Sequence, residues 1–490
     1  MLLDPRVPLA RGFLLDAPES PVRRSPHQPA SLAPSQTAPV PSPRNSLSPS
    51  APTNAAQPAP APPDPAAPEA ARAPDASSHH CPGEPGEPPS WRQELRASLA
   101  ALPPERLRQL RPYACASGAT AELLPHPPDS ATPAAPLLDL ASNDYLGLSR
   151  HPAVLAAAAA ELAASGLGAG ASRLVTGTRP VHLELERELA RWLGRERVLL
   201  FPSGFQANLA AVGALADRHS LVLADRLIHH SLLAGVRASG AKLQRFAHND
   251  PTDLERRLAA ARRESPTRRL LVLCESLYSM EGTSPPLAEL AALCARHNAP
   301  LLVDEAHALG VLGPGGRGLA HEIPEIGLIS GTFGKAFGSG GAFLAADEPL
   351  GEWLLQSSGA FRYTTALAPP LAAGALAALV HLRDAPVAAA ARRALVARAA
   401  RWREALAAAG WPRPPGEGPI LPLRVGDDGL ALALQARLEA AGLLTAAIRP
   451  PTVPPGTARL RLVLRQDLPS GSLARLLAAL GPCPHPPRST

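Results

Sequence analysis

Residues 270–307 read LLVLCESLYSMEGTSPPLAELAALCARHNAPLLVDEAH, and the pattern inside that stretch decides the fold class. Two short apolar runs, Leu270-Leu-Val-Leu-Cys-Glu275 and Leu301-Leu-Val-Asp304, each end on a carboxylate and are bounded by turn residues, as fully buried strands are. Between them Leu287, Leu290, Ala291 and Cys294 recur at helical spacing and mark one apolar face. A strand, a helix and a second apolar strand in that order describe one unit of a parallel sheet.

The same alternation runs outward in both directions. Upstream, Arg197 to Phe201 is a strand, Gln206 to Ala216 a helix and Ser220 to Ala224 a strand; Thr252-Asp-Leu-Glu255 has capping-box spacing and opens a helix to about Arg263. Downstream, Gly327-Leu-Ile329 leads into Ser330-Gly-Thr-Phe-Gly-Lys335. Nearer the N-terminus, Glu94 to Leu110 reads as a helix broken near Pro103-Pro104, Leu137 to Ala141 as a strand and His151 to Ser165 as a helix. Beyond about residue 376 come alanine-rich helices and strand candidates at Ile420 to Val425, Leu443 to Ile448 and Ala458 to Leu464. The fold class is α/β: a mainly parallel central sheet with helices on both faces, and a smaller C-terminal α+β domain. The predicted divisions are a helical segment and arm over 89–150, a large domain over 151–375, a small domain over 376–481 and a tail over 482–490. Residues 1–88 are rich in Pro, Ala and Ser and are expected to be a disordered extension, because they hold too little apolar surface to offset ordering.

Composition removes several function classes. The formal charge of +6 is carried mostly by single arginines among alanines and leucines, so no nucleic-acid partner is expected. Cys81, Cys115, Cys274, Cys294 and Cys483 form no CxxC pair, which argues against a disulfide framework and a zinc site and favours a reducing compartment, the cytoplasm. No apolar run reaches the roughly 18 residues of a membrane span, and no membrane partner is expected.

In a parallel sheet, residues at the carboxyl ends of strands gather along the edge where ligands bind. Ser203, Asp225, Glu275, Asp304 and Lys335 all fall there. Lys335 is one of two lysines in 490 residues, the other being Lys242, while arginine carries nearly all the positive charge. An amine can lose its proton and form an imine, whereas a guanidinium cannot, so the chemical reading of Lys335 is a Schiff-base nucleophile. Asp304, in apolar company, requires a cationic partner; the protonated ring nitrogen of pyridoxal phosphate is one. Gly204 and Phe205 open a helix whose N–H groups can hold a phosphate. Nucleotide and hydrolase loops fail on detail. Gly331-Thr-Phe-Gly-Lys335 is followed by Ala336, not a hydroxyl residue; Gly166-Leu-Gly-Ala-Gly170 follows a helix; and Ser203 lacks the first glycine of a nucleophile elbow. His182, Glu184 and Glu186 have metal-like spacing but no third group, and read as surface. Arg459 and Arg461 alternate with leucines as on a half-buried strand, where they can face solvent.

These motifs together resemble the α-oxoamine synthase family of fold-type I pyridoxal-phosphate enzymes, and its biotin-pathway branch most closely. The resemblance covers about Trp91 to Leu480. It rests on Ser142-Asn-Asp-Tyr-Leu-Gly-Leu148, Ser203-Gly-Phe205, Asp225-Arg-Leu-Ile-His-His-Ser231, Glu275 to Gly282, Asp304-Glu-Ala-His307, Thr332-Phe-Gly-Lys335 and Ile448-Arg-Pro-Pro-Thr-Val-Pro454. It implies that Lys335 forms the Schiff base, Asp304 pairs with the ring nitrogen and His229, preferred to His230, stacks on the ring. It implies that His307 and Ser279 hydrogen-bond near the ring hydroxyl, and that Gly204, Phe205 and Thr332 contact the cofactor chiefly through its phosphate. Thr364 and Thr365 are assigned to the neighbouring subunit's phosphate in a homodimer with shared active sites. Asn143, Arg449 and Arg461 are assigned to the amino-acid carboxylate, and Thr452 and Arg108 to the acyl-donor side, with Arg111 close by. The implied reaction is a decarboxylative condensation of L-alanine with pimeloyl-CoA or a pimeloyl-carrier protein; relatives use glycine or serine with acetyl, succinyl or long acyl thioesters. Phe333 and Phe337, together with the cofactor's charge, are expected to lower the lysine's proton affinity. Two departures stand out: Ile228 replaces a small polar residue, and Arg465-Gln-Asp-Leu-Pro-Ser470 replaces a pattern of small residues and histidine.

Overall fold

The computed structural model of the chain describes residues 90–116, 121–126 and 135–484; the Pro/Ala-rich stretch 1–88 and residues 485–490 of the tail lie outside them. From the N-terminal side, α1 (Trp91–Ala100) is capped by Ser90. It stops well short of Leu110: Pro103 and Pro104 supply no N–H donors, and only a 3₁₀ turn at Pro104–Arg106 follows. Three short strands come next, β1 (Tyr113–Cys115), β2 (Glu122–Pro125) and β3 (Leu137–Asp139), then α2 (Pro152–Ser165) and α3 (Pro180–Leu193).

The central alternation is β4 (Arg197–Phe201), α4 (Gly204–Leu215), β5 (Leu221–Asp225), α5 (His230–Ser239), β6 (Lys242–Phe246), α6 (Pro251–Glu264), β7 (Leu270–Glu275), α7 (Leu287–Arg296), β8 (Leu301–Asp304), β9 (Leu328–Thr332) and β10 (Ala342–Ala346). The seven strands lie in the order β4-β10-β9-β8-β7-β5-β6, with only β10 antiparallel to its neighbours. Two of them, β6 and β10, escape the sequence reading. Lys242-Leu-Gln-Arg-Phe246 is an edge strand too polar to read as an apolar run, and β10 follows a glycine-rich turn. The start of α6 also differs: Asp250, not Thr252, is the cap, accepting from Asp253 N at 3.0 Å.

Alternate strand residues supply two cores. Leu199 and Phe201 pack with Ala207, Ala211, Leu232 and Val236 beneath α4 and α5, while Val198 and Leu200 face the core that includes Leu185 and Leu189 of α3. Burying both faces is what makes each strand a continuous apolar run.

The chain continues through α8 (Glu348–Ser357), α9 (Gly359–Arg362), α10 (Pro369–Asp384), α11 (Pro386–Ala408), β11 (Ile420–Gly426), α12 (Asp428–Ala440), β12 (Leu443–Leu444), β13 (Ala446–Ile448), β14 (Ala458–Val463) and α13 (Ser472–Leu480). The stretch read as one strand over Leu443 to Ile448 is broken at Thr445, and its halves serve different sheets. β13 joins the antiparallel order β11-β14-β13, whereas β12 pairs in parallel with β3. Among the described residues no single helix is long and apolar enough to cross a membrane.

All six residues of β14 are buried, so Arg459 and Arg461 do not face solvent. Arg459 pairs with Glu281 at 2.9 Å. The departure at 465–470 also has a structural role. Arg465, 4% exposed, donates to Asp467 at 2.9 Å, to Asp139 at 3.3 Å and to Ser142 Oγ at 3.1 Å. Gln466 N donates to Tyr145 O at 2.8 Å. The segment after β14 thereby fixes the 142–148 loop in place. Replacing Arg465 by methionine leaves buried carboxylates without their cation, and is expected to lower unfolding free energy by about 3–5 kcal/mol. Urea midpoints measure this, against a change within about 0.5 kcal/mol for the exposed Arg393→Met; equal midpoints for the two variants would refute it.

Candidate active site

Parallel register sets three polar strand ends side by side: Glu275 of β7 aligns with Asp304 of β8, and Asp304 with Ser330 of β9. β4 delivers Ser203, whose hydroxyl accepts from Gln206 N at 3.3 Å and caps α4, leaving the Gly204 and Phe205 N–H groups without intrahelical partners. β5 leads to His229 and Ser231, and the turn after β9 to Lys335. All these residues except Ser203 and Gln206 line one cavity of about 230 Å³, together with Asn208, Ala306, His307, Gly331 and Thr332.

Asp304 is held from two sides. Ala306 N donates to Oδ1 at 2.9 Å and Asn208 Nδ2 to Oδ2 at 2.7 Å. Asn208 also reaches Ser231 Oγ at 2.9 Å, and that hydroxyl lies 2.7 Å from His229 Nδ1. The ring of His229 is open to the cavity, but the surrounding protein and the nearby Lys335 lower its proton affinity against the pull of Asp304. Glu275 is buried, which pushes its carboxyl well above the usual range with Asp304 adding to the effect; its Oε1 has no hydrogen-bond partner.

Lys335 Nζ sits 3.0 Å from His307 Nε2. Its amine is partly open to the cavity, yet protein encloses it otherwise, and this burial brings its pKa down to about 8 despite Asp304 and Glu275; Arg461 assists. The two phenylalanines lie beneath the site and do not face the cavity. Phe333 and Phe337 pack on each other with ring centroids 5.4 Å apart, Phe337 also meets Trp192, and neither lines the cavity. His307 is buried beside Lys335 and Arg461 and is driven well below the ordinary histidine range, so it is neutral.

Of the sequence-predicted residues, Gly204, Phe205, His229, Asp304, His307, Thr332 and Lys335 line the cavity. Thr332 does so with its hydroxyl donating to Gly341 O at 3.1 Å. Ser279 is not in the lining; its carbonyl accepts from Arg461 Nε at 2.6 Å and its N–H meets Glu275 Oε2 at 3.4 Å. Asn143 adjoins the site through Arg461, whose Nη2 donates to Asn143 Oδ1 at 2.9 Å. Arg108, Arg449 and Thr452 form a separate group: Arg108 donates to Pro450 O at 3.2 Å, Arg449 donates to Glu105 O, and Thr452 N donates to Arg449 O at 3.1 Å. Arg111 is engaged with Glu439 at 2.9 Å. Thr364 and Thr365 lie away from this chain's own cavity, Thr365 bridging to Ser172. His182 is not a surface residue: it is buried, and its Nε2 meets Leu367 O at 2.8 Å.

Sequence reasoning missed Asn208, Ser231 and Tyr145. Asn208 had a signal, a lone amide on an otherwise alanine-lined buried face of α4. Tyr145 stood inside a quoted motif without a role, and the contact that gives it one crosses 162 residues: its hydroxyl lies 2.6 Å from His307 Nδ1.

Comparison with known proteins follows the same outline. Residues 135–480 match the family described as aminotransferase class I and II. The 8-amino-7-oxononanoate synthase of Chromohalobacter salexigens is 44% identical over 353 residues, 71% of this chain and 90% of that protein. That of Stutzerimonas stutzeri is 42% identical over 80% of this chain and 96% of its own length. Among solved structures, a serine palmitoyltransferase from S. paucimobilis with a bound PLP-myriocin aldimine superposes with a TM-score of 0.70 at 28% identity, covering 79% of this chain and 94% of that one. The 8-amino-7-oxononanoate synthase from Francisella tularensis does so at 0.60 and 28%, covering 70% and 96%. The fold is therefore that of fold-type I pyridoxal-phosphate enzymes, and the chain belongs to the class I and II aminotransferase family and, within it, to the 8-amino-7-oxononanoate synthases.

Proposed function

We propose that the chain is a pyridoxal-phosphate-dependent acyltransferase. It condenses L-alanine with a pimeloyl thioester, on coenzyme A or a carrier protein, releasing carbon dioxide and giving 8-amino-7-oxononanoate for biotin biosynthesis. One observation carries the reading: a single cavity gathers an amine of lowered proton affinity, a carboxylate fixed by two donors and the free N–H groups of a helix start. The residues present fit the cofactor, and the unpartnered Glu275 Oε1 and Asn208 Oδ1 show polar capacity that the protein alone does not satisfy. Bound there, pyridoxal phosphate supplies an electron sink for the charge formed at the amino-acid Cα.

The protein's own tasks follow. Asp304, aligned by Ala306 and Asn208, would hold a proton on the ring nitrogen, and Gly204 and Phe205 would receive the phosphate, with Thr332 beside them. His229 would face the bound ring. Lys335 would take the Cα proton, which its lowered pKa allows near neutral pH. Asn143 and Arg461 receive the amino-acid carboxylate. Arg449 joins them, its buried Nε being without a partner, while Arg108 and Thr452 border the acyl-donor path. His307 and Ser279 border the ring hydroxyl.

A second copy completes the enzyme in this reading. Every residue of α1 is exposed, and Trp91, Leu95 and Leu99 form an apolar stripe along it. Thr364 and Thr365 would then serve the partner's phosphate. The cysteine usage supports a cytoplasmic setting.

Three outcomes are expected. Mass spectrometry after offering a pimeloyl thioester with alanine, glycine or serine should show the alanine product, and turnover with glycine alone would overturn the substrate assignment. Lys335→Ala should lose both turnover and the borohydride-sensitive absorbance band; a band that persists would remove Lys335 from its role. Asn208→Ala, which strips one donor from the Asp304 carboxylate, should weaken cofactor retention by roughly 10–100-fold, in line with about 1.5–3 kcal/mol for a hydrogen bond to a charged group. Equilibrium dialysis of the cofactor measures it, and unchanged retention would show that Asp304 needs no such support.

A further inference from the structure

We infer that Tyr145, His307 and Lys335 form a one-way hydrogen-bonded chain beside the Arg461 guanidinium, in which Tyr145 is a positioning residue, turning the His307 ring proton toward Lys335 and so favouring the free amine. The inference deepens the reading of Lys335 as the reacting amine and rests on it, although its test requires neither cofactor nor substrate.

The polarity follows from what each group can do. A guanidinium only donates. Arg461, 5% exposed on β14, donates to Ser279 O and Asn143 Oδ1, and its charge lies close to Tyr145. The Tyr145 phenol, beside that cation, keeps its own proton to give to an acceptor. Two are within reach. Asn143 Oδ1 is 3.3 Å away and already receives Arg461, whereas His307 Nδ1 is at 2.6 Å. The shorter contact takes the proton. A neutral imidazole that accepts at Nδ1 carries its hydrogen on Nε2, and Nε2 faces Lys335 Nζ at 3.0 Å. Lysine can accept there only as an amine, because an ammonium has no lone pair.

The chain is enclosed. Tyr145 is fully buried and His307 is 6% exposed, so water is poorly placed to substitute for either link. The other charged or titratable groups around Lys335 are Asp304 at the end of β8, Glu275 at the end of β7, and His229 before α5. Asp304 and Glu275 favour the ammonium. The donor chain works against them, together with burial.

The scarcity of lysine makes the test direct. Lys335 and Lys242 are the only lysines, so amine labelling of the full chain without added pyridoxal phosphate, followed by peptide mass spectrometry, gives a pH midpoint for each. In the native sequence Lys335 should titrate near its lowered value of about 8. Tyr145→Phe removes one oxygen and keeps the ring; it should raise the Lys335 midpoint by about one unit, a tenfold loss of labelling rate at pH 7, with Lys242 unmoved as the internal control. His307→Gln, which keeps an N–H donor, should retain more of the low midpoint than His307→Leu, which has none. That pair decides the matter should Tyr145→Phe fail to fold. A Lys335 midpoint unchanged by Tyr145→Phe, or identical in the two His307 variants, would overturn the inference. Failure to form a borohydride-sensitive band on adding pyridoxal phosphate would instead count against the proposed function alone.

Discussion

Asp304 is a carboxylate with 6% of its surface exposed, at the end of a strand whose other residues are wholly apolar. Removing such a charge from water is costly unless donors and a cation replace the lost hydration. The donors are supplied locally, by the backbone of Ala306 and the amide of Asn208. Much of the surrounding architecture serves the same requirement. α4 must lie across the sheet so that Asn208 reaches down, and α5 must follow so that Ser231 fixes that amide from its other side. The sheet register then brings Glu275 and Ser330 alongside, and the turn after β9 returns Lys335 to the same edge. A cation facing the cavity would complete the set.

Most of the large sheet was legible because its strands are buried on both faces and stand out as short apolar runs. Where that rule weakens, reading failed. β6 is a polar edge strand, β10 hides behind glycines, and Leu443 to Ile448 looks continuous although its halves bond to different partners. The site divides the same way. Lys335, Asp304, His229 and the start of α4 announce themselves through residue type at a strand end. Arg461 was ambiguous because alternation with leucine normally means one wet face; here the second face of β14 lies against the site, and the arginines are spent on Ser279, Asn143 and Glu281. Tyr145 and Asn208 act through other side chains, and such partnerships appear only once distant segments meet.

The composition has a related physical effect. With arginine in place of nearly every lysine, many cations inside the fold are planar forks that cannot give up a proton. Arg403, wholly buried, donates to Gly418 O at 2.7 Å and Ile420 O at 3.1 Å, and Arg465 secures the 142–148 loop. Structural cations are thereby separated by chemistry from the reacting one. An interior lysine at such positions would add a competing amine for an aldehyde; a guanidinium does not.

The break at Thr445 ties the ligand-facing parts together mechanically. β12 grips β3 while β13 grips β14, and the residues after β14 grip the 142–148 loop. Asn143, Tyr145 and Arg461 are consequently passengers on one body, whereas His307 and Lys335 ride on the large sheet. The 2.6 Å contact between Tyr145 and His307 is one link between them, beside those of Arg461 to Ser279 and Arg459 to Glu281. The setting of the lysine and the placing of Asn143 and Arg461 beside it are therefore geared to each other by the way the chain is woven.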